Sequence, residues 1–221
     1  MGGQACVLYG AAEFSRDTDL VISPSADNLA RLEVAMKDLQ ADRIAVPPMG
    51  QTYLDSGLAV HFRCRHPEAA GPRVDIMTTM RGVDPFPALW ERRSSLEVHQ
   101  QIVEVLALPD LVRAKKTQRD KDWPMLSRLV ESNYFTFRHD PNEARIHFWL
   151  TELRNAALLL QVGLSFPQQR AKIEAARPLL SLTSESELRT ALLVEEAQER
   201  ALDVAYWLPL KAELERLRRQ R

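Results

Sequence analysis

Asp17 and Asp19 stand one residue apart in the run SRDTDLVIS. On a strand, residues i and i+2 point to the same face, so these carboxylates would lie side by side. Two like charges held that close repel, and burying either one unpaired is costly. A divalent cation removes both problems, and oxygen-rich carboxylate sites suit Mg²⁺ or Mn²⁺. A two-metal site takes a further carboxylate as a bridge. The candidate is Asp75, centred in RVDIM between Val74 and Ile76, whose side chains point the opposite way. The plainer alternative is that Asp-x-Asp sits in a loop or caps a helix, and that Asp75 pairs with Arg73 or Arg63 across strands.

These residues need a sheet to hold them, and the first half of the chain supplies one. LVIS (20–23) is apolar and β-branched, and IAV (44–46) is stopped by Pro47 and Pro48. LAVHFRC (58–64) alternates Leu58, Val60, Phe62 and Cys64 on one face, which predicts a half-buried strand with His61 on the exposed side. RVDIM (73–77) is a further strand, and weaker ones are expected near 96–98 and 102–106. Between them, SADNLARLEVAMKDLQ (25–40) has Ser25 as a cap and Leu29, Leu32, Met36 and Leu39 at helical spacing. After Leu108 the pattern turns helical. One helix is expected over 144–161, and Pro178 and Pro209 should end or kink theirs. The expected architecture is α+β. A small mixed-sheet α/β domain spans 1–108, and a helical region over 109–221 packs against it through its amphipathic stripes.

Bulk composition excludes several classes of function. A net charge of −1 over 221 residues rules out nucleic-acid binding by bulk charge, so such binding must come from a local patch. RLRRQR (216–221) is one short basic stretch that can touch RNA, against the plainer reading of a solvated terminus. No apolar run is long enough to span a membrane. The N-terminus lacks a signal-peptide layout, and Cys6 and Cys64 have no metal-ligand spacing. A cytoplasmic protein with reduced thiols is expected.

Around the aspartates the sequence resembles the nucleotidyltransferase fold superfamily, the polymerase-beta-like enzymes. Gly2-Gly3-Gln4-Ala5 resembles the family's glycine turn, and Cys6-Val7-Leu8-Tyr9-Gly10 its short helix. Ser15 falls where the family has Ser or Thr, Asp17 and Asp19 match its metal pair, and Val74-Asp75-Ile76 matches its later carboxylate strand. The segment 108–130 is similar to one in bacterial abortive-infection and toxin–antitoxin nucleotidyltransferases, with Lys115 or Lys116, Arg119, Lys121 and Asp122 as the matching residues. Together the matches span about 1–130. Two departures stand out. Glu13 replaces a frequent Arg, for which Arg16 can substitute. The sequence also opens at the glycine turn, so the family's N-terminal strand is expected either to be missing or to lie upstream of this start.

The resemblance implies a magnesium-dependent bacterial enzyme. Asp17, Asp19 and Asp75 are expected as metal ligands and catalytic residues. Gly2, Gly3, Ser15, Lys115, Lys116, Arg119 and Lys121 are expected at the nucleotide. It implies transfer of a nucleoside monophosphate from a nucleoside triphosphate to an RNA or protein hydroxyl, with an antitoxin as a further partner. A non-catalytic binding or regulatory module acting through the helical tail is the second expectation, and an ordinary α+β protein with incidental aspartates is the third.

Overall fold

The computed structural model describes residues 1–69 and 71–220. Arg221, the last residue of the basic tail, lies outside the described residues. The chain divides into two compact units. One comprises Met1–Ala114 together with the chain from Ala205 onward, and the other is Lys115–Val204. The fold is mixed α+β.

In the first unit α1 (Gly2–Leu8) leads into β1 (Asp17–Val21), then α2 (Ala26–Asp38), β2 (Asp42–Arg43), α3 (Gln51–Asp55), β3 (Val60–Arg63) and β4 (Arg73–Met77). The four strands form one mixed sheet in the order β1-β4-β3-β2, with β1 parallel to β4 and the other pairs antiparallel. A short helix, α4 (Phe86–Glu91), precedes a separate hairpin of β5 (Ser94–Val98) and β6 (Gln101–Val105), and α5 (Leu108–Ala114) follows. The expected strand at 44–46 is displaced: pairing with β3 occurs at Asp42 and Arg43, and Val46 is instead a core residue beside Leu58 and Leu217.

Alternation on β3 and β4 explains the sheet. Val60, Phe62, Val74 and Ile76 are buried on one face with Leu54 and Met36. α2 covers that face because its Leu29, Leu32 and Met36 recur at helical spacing, and the Ser25 side chain caps its start by accepting from the Asn28 N–H. Burying each of the larger aliphatic side chains contributes about 1.5–3 kcal/mol. The apolar face therefore fixes which way His61, Arg73 and Asp75 point.

The second unit is helical. α6 (Asp122–Phe137), α7 (Glu143–Glu152), α8 (Ala156–Ser165), α9 (Pro167–Glu174) and the first part of α10 (Glu185–Arg219) build it. The single helix expected over 144–161 is two, broken at Leu153–Asn155. Asn155 caps α8 by accepting from the Leu158 N–H. The carbonyls freed at the break are taken by Arg177, which donates to Leu150 O at 2.7 Å and Leu153 O at 3.0 Å. Helix carbonyls left without partners are costly, and a buried guanidinium satisfies two at once. A short 3-10 turn begins at Pro178, whereas α10 runs through Pro209 without ending there.

Candidate active site

The face of the sheet opposite the core is a grid of charged residues. Asp19 on β1 is in register with Asp75 on β4, and Asp75 with His61 on β3. One step along, Asp17 is in register with Arg73, and Arg73 with Arg63. Residues in register on neighbouring strands share a face, with backbones about 4.8 Å apart. Asp17, Asp19 and Asp75 therefore face one way, although 55 residues of chain lie between the last two.

α1 lies over β1 at this face. Gly2 has φ of 67°, and a Cβ there would stand 1.8 Å from Oδ2 of Asp19. At Gly3 a Cβ would stand 2.4 Å from Oγ of Ser15. Only glycine allows the helix backbone to come this close. The Gly3 N–H donates to Oδ2 of Asp19 at 3.3 Å, and the Met1 amino group donates to the Asp19 carbonyl at 2.7 Å. The Ser15 hydroxyl donates to the Asp17 carbonyl at 2.9 Å, holding the approach to the strand. The expected glycine turn is thus the first turn of α1 itself. The helix ends at Leu8, followed by Gly10 in the left-handed region.

Asp75 is 6% exposed, which for a carboxylate demands partners. Arg73 grips it with both arms of its fork, Nε to Oδ1 and a terminal nitrogen to Oδ2, each at 2.6 Å. His61 Nδ1 lies 2.8 Å from Oδ1. At that distance from an ionised carboxylate, Nδ1 carries the hydrogen and donates it. Burial pushes the Asp75 carboxyl up, but the hydrogen bonds and charges of His61 and Arg73 outweigh burial and hold it below the usual carboxylate range. His61, expected on an exposed face, is a half-buried partner of Asp75. Its place opposite Val60 and Phe62 was readable from alternation. Its neighbour was not, because strand order is not written in the local sequence.

The donor set fits a hard divalent cation in its chemistry. Asp17 and Asp19 offer carboxylate oxygens on the face beside the glycine cradle. Asp75 has most of its acceptor capacity committed to Arg73 and His61. As the chain stands, no group of three or more His, Cys, Asp or Glu side chains is gathered closely enough to hold an ion among the described residues.

The four expected phosphate-binding cations belong to the second unit, where Lys115, Lys116 and the more exposed Arg119 join an ionic network. Lys115 is 7% exposed and pairs with Asp122 at 3.2 Å. Asp122 also accepts from Thr117 at 2.6 Å and from Nε of Arg119 at 2.8 Å. Burial raises the Asp122 carboxyl, and Lys115, Thr117 and Arg119 more than reverse it. Lys116 pairs with Glu152 at 2.8 Å and lies 3.7 Å from Glu199. Lys121 is exposed at the start of α6. In the tail, Leu217 is buried with Val46 and Leu58, and Arg216 pairs with Glu213. No helix is long and apolar enough to cross a membrane among the described residues. Comparison with known proteins finds no family model, no curated protein and no solved structure that matches the chain.

Proposed function

We propose that this chain is a metal-dependent nucleotidyltransferase of the polymerase-beta-like kind. It moves a nucleoside monophosphate from a nucleoside triphosphate to a hydroxyl of RNA or protein. The observation that carries the reading is the meeting of three separate sequence features at one place. Asp17 and Asp19 share a face with Asp75 through strand register, and Gly2 and Gly3 are packed directly on Asp19 and Ser15.

A divalent cation, when held by Asp17 and Asp19, supplies the positive charge that neutralises the triphosphate. The chain's own residues bind and orient. Gly2 and Gly3 let the α1 backbone pack directly against Asp19 and Ser15, which fixes the Asp19 carboxylate on the face. Arg73, with a guanidinium suited to phosphate oxygens, sits in register with Asp17 on the same face. Asp75 marks the acceptor side. The acceptor oxygen bonds to the α-phosphorus, the bond to the pyrophosphate oxygen breaks, and the hydroxyl proton leaves to water. Positioning and charge neutralisation supply most of the acceleration in such a transfer. Pairing with an antitoxin partner in a bacterial cytoplasm is part of the same reading.

A second reading is favoured by the closed Arg73–Asp75 pair: a binding or regulatory module with this fold and no transfer activity. Thermal melting of the full chain with Mg²⁺ or Mn²⁺, with and without each of the four nucleoside triphosphates, separates the two. An ion or nucleotide that binds only the folded state raises the melting temperature by mass action. The enzyme reading expects a metal shift and a larger metal-plus-triphosphate shift, both reduced in Asp17→Asn. A metal shift with no added triphosphate effect supports the module. Equal shifts in wild type and Asp17→Asn remove these aspartates from the mechanism.

A further inference from the structure

Asp75 is held by an arginine whose side chain is far more exposed than its own. Asp75 sits on β4, which has β1 on one side and β3 on the other, and Val74 and Ile76 anchor it in the core. The Arg73 side chain is 38% exposed against 8% for that of Asp75. A carboxylate has roughly four acceptor positions. Three are filled here, two by Arg73 and one by His61. Arg73 also lies in register with Asp17, and the charges of Asp75, Asp17 and Asp19 all favour its protonated form. One guanidinium thus sits among three aspartates on one face and is stabilised by all of them.

We propose that Arg73 is a built-in counter-cation that competes with a divalent ion for Asp75, so that Asp75 becomes a metal ligand only when the Arg73 fork lets go. This rests on the reading of the face as a nucleotidyltransferase site. The Arg73 charge lowers the mutual repulsion of the carboxylates that share this sheet face. The released guanidinium also has a destination. Arginine binds phosphate oxygens through the same fork that binds a carboxylate. A bound triphosphate would compete with Asp75 for the Arg73 fork and leave Asp75 able to hold a divalent ion, so each ligand would strengthen the binding of the other.

The test is Mn²⁺ binding by isothermal titration calorimetry to the full chain, without nucleotide. The variants are Arg73→Gln, Arg73→Lys, Asp19→Asn and the double variant Arg73→Gln/Asp75→Asn. Arg73→Gln should bind Mn²⁺ more tightly than wild type by roughly 10–100-fold, the scale on which neighbouring groups alter metal affinity. The double variant should lose that gain, because the freed carboxylate is its source. Arg73→Lys keeps the charge but not the fork, and should fall between wild type and Arg73→Gln. If Arg73→Gln does not fold, the lysine variant decides: tighter binding supports the proposal and unchanged binding overturns it. Wild-type affinity in a folded Arg73→Gln also overturns it. In that case binding lost in Asp19→Asn keeps the functional reading intact. No Mn²⁺ binding by either wild type or Arg73→Gln overturns both.

Discussion

Asp19 and Asp75 are register partners on parallel neighbouring strands, and a glycine helix rests on the first while an arginine fork grips the second. The two carboxylates share a face but have different company. Asp19 is half-buried and accepts from the Gly3 N–H at 3.3 Å. Asp75 is buried and ion-paired. The face thus pairs half-buried carboxylates beneath α1 on β1 with a buried, ion-paired carboxylate on β4.

The glycine contact gives a stability prediction independent of function. Gly2→Ala should destabilise the fold by about 1–3 kcal/mol, because the methyl group meets the Asp19 carboxylate and the backbone is left-handed there. Gly10→Ala is the control. It shares the positive φ but has nothing within 4 Å of the added carbon, so its cost should be about 1–2 kcal/mol at most. Urea unfolding of the three proteins measures the difference.

Asn155→Ala should cost about 1 kcal/mol, since its side chain caps α8 by accepting from the Leu158 N–H. Thermal unfolding checks the size. Arg177→Met should cost more, about 3 kcal/mol or above. It leaves the Leu150 and Leu153 carbonyls and the Glu195 carboxylate without their shared donor.

Glu195 predicts a pH dependence. Burial raises its carboxyl, but Arg177 and Arg154 more than offset that and hold it below its ordinary value. A carboxyl with a depressed folded-state pKa contributes stability above its unfolded value, about 4.3, and loses that contribution as pH falls through the folded value. Wild-type stability should therefore decline as pH falls from about 5. Glu195→Gln should be less stable at neutral pH and show a shallower decline. Equal slopes in melting temperature against pH would contradict this role for Glu195.

Parts of this arrangement were legible in the sequence. RVDIM coincides with β4, and the apolar neighbours of Asp75 do point into the core. The alternation in LAVHFRC placed Val60 and Phe62 correctly, because period-two burial is a local property. Arg73 was a foreseeable partner for Asp75, two residues away on the same strand face. His61 was not, because its contact depends on β3 pairing with β4, a long-range choice. The break at Leu153–Asn155 was hidden for the same reason. Its helical periodicity is continuous, and Arg177, from beyond α9, is what satisfies the broken turn. Asn155 was the local sign available, an N-cap residue inside an apolar run. Lys115 and Lys116 were expected at the nucleotide, yet Lys115 pairs with Asp122 at the start of α6 and Lys116 with Glu152 at the end of α7, a contact set by a helix distant in sequence.

If the face bearing Asp17, Asp19 and Asp75 transfers nucleotides, an acceptor should gain label from an α-labelled triphosphate. The most direct measurement incubates the full chain with Mg²⁺ or Mn²⁺ and each nucleoside triphosphate labelled at the α-phosphate, with total RNA and total protein as acceptors. Wild type is compared with Asp19→Asn. The account predicts label in RNA or protein with wild type for at least one triphosphate, and a loss of about a hundredfold or more in the variant. Label transferred equally by wild type and a folded Asp19→Asn, or by neither while both bind metal and nucleotide, would contradict it.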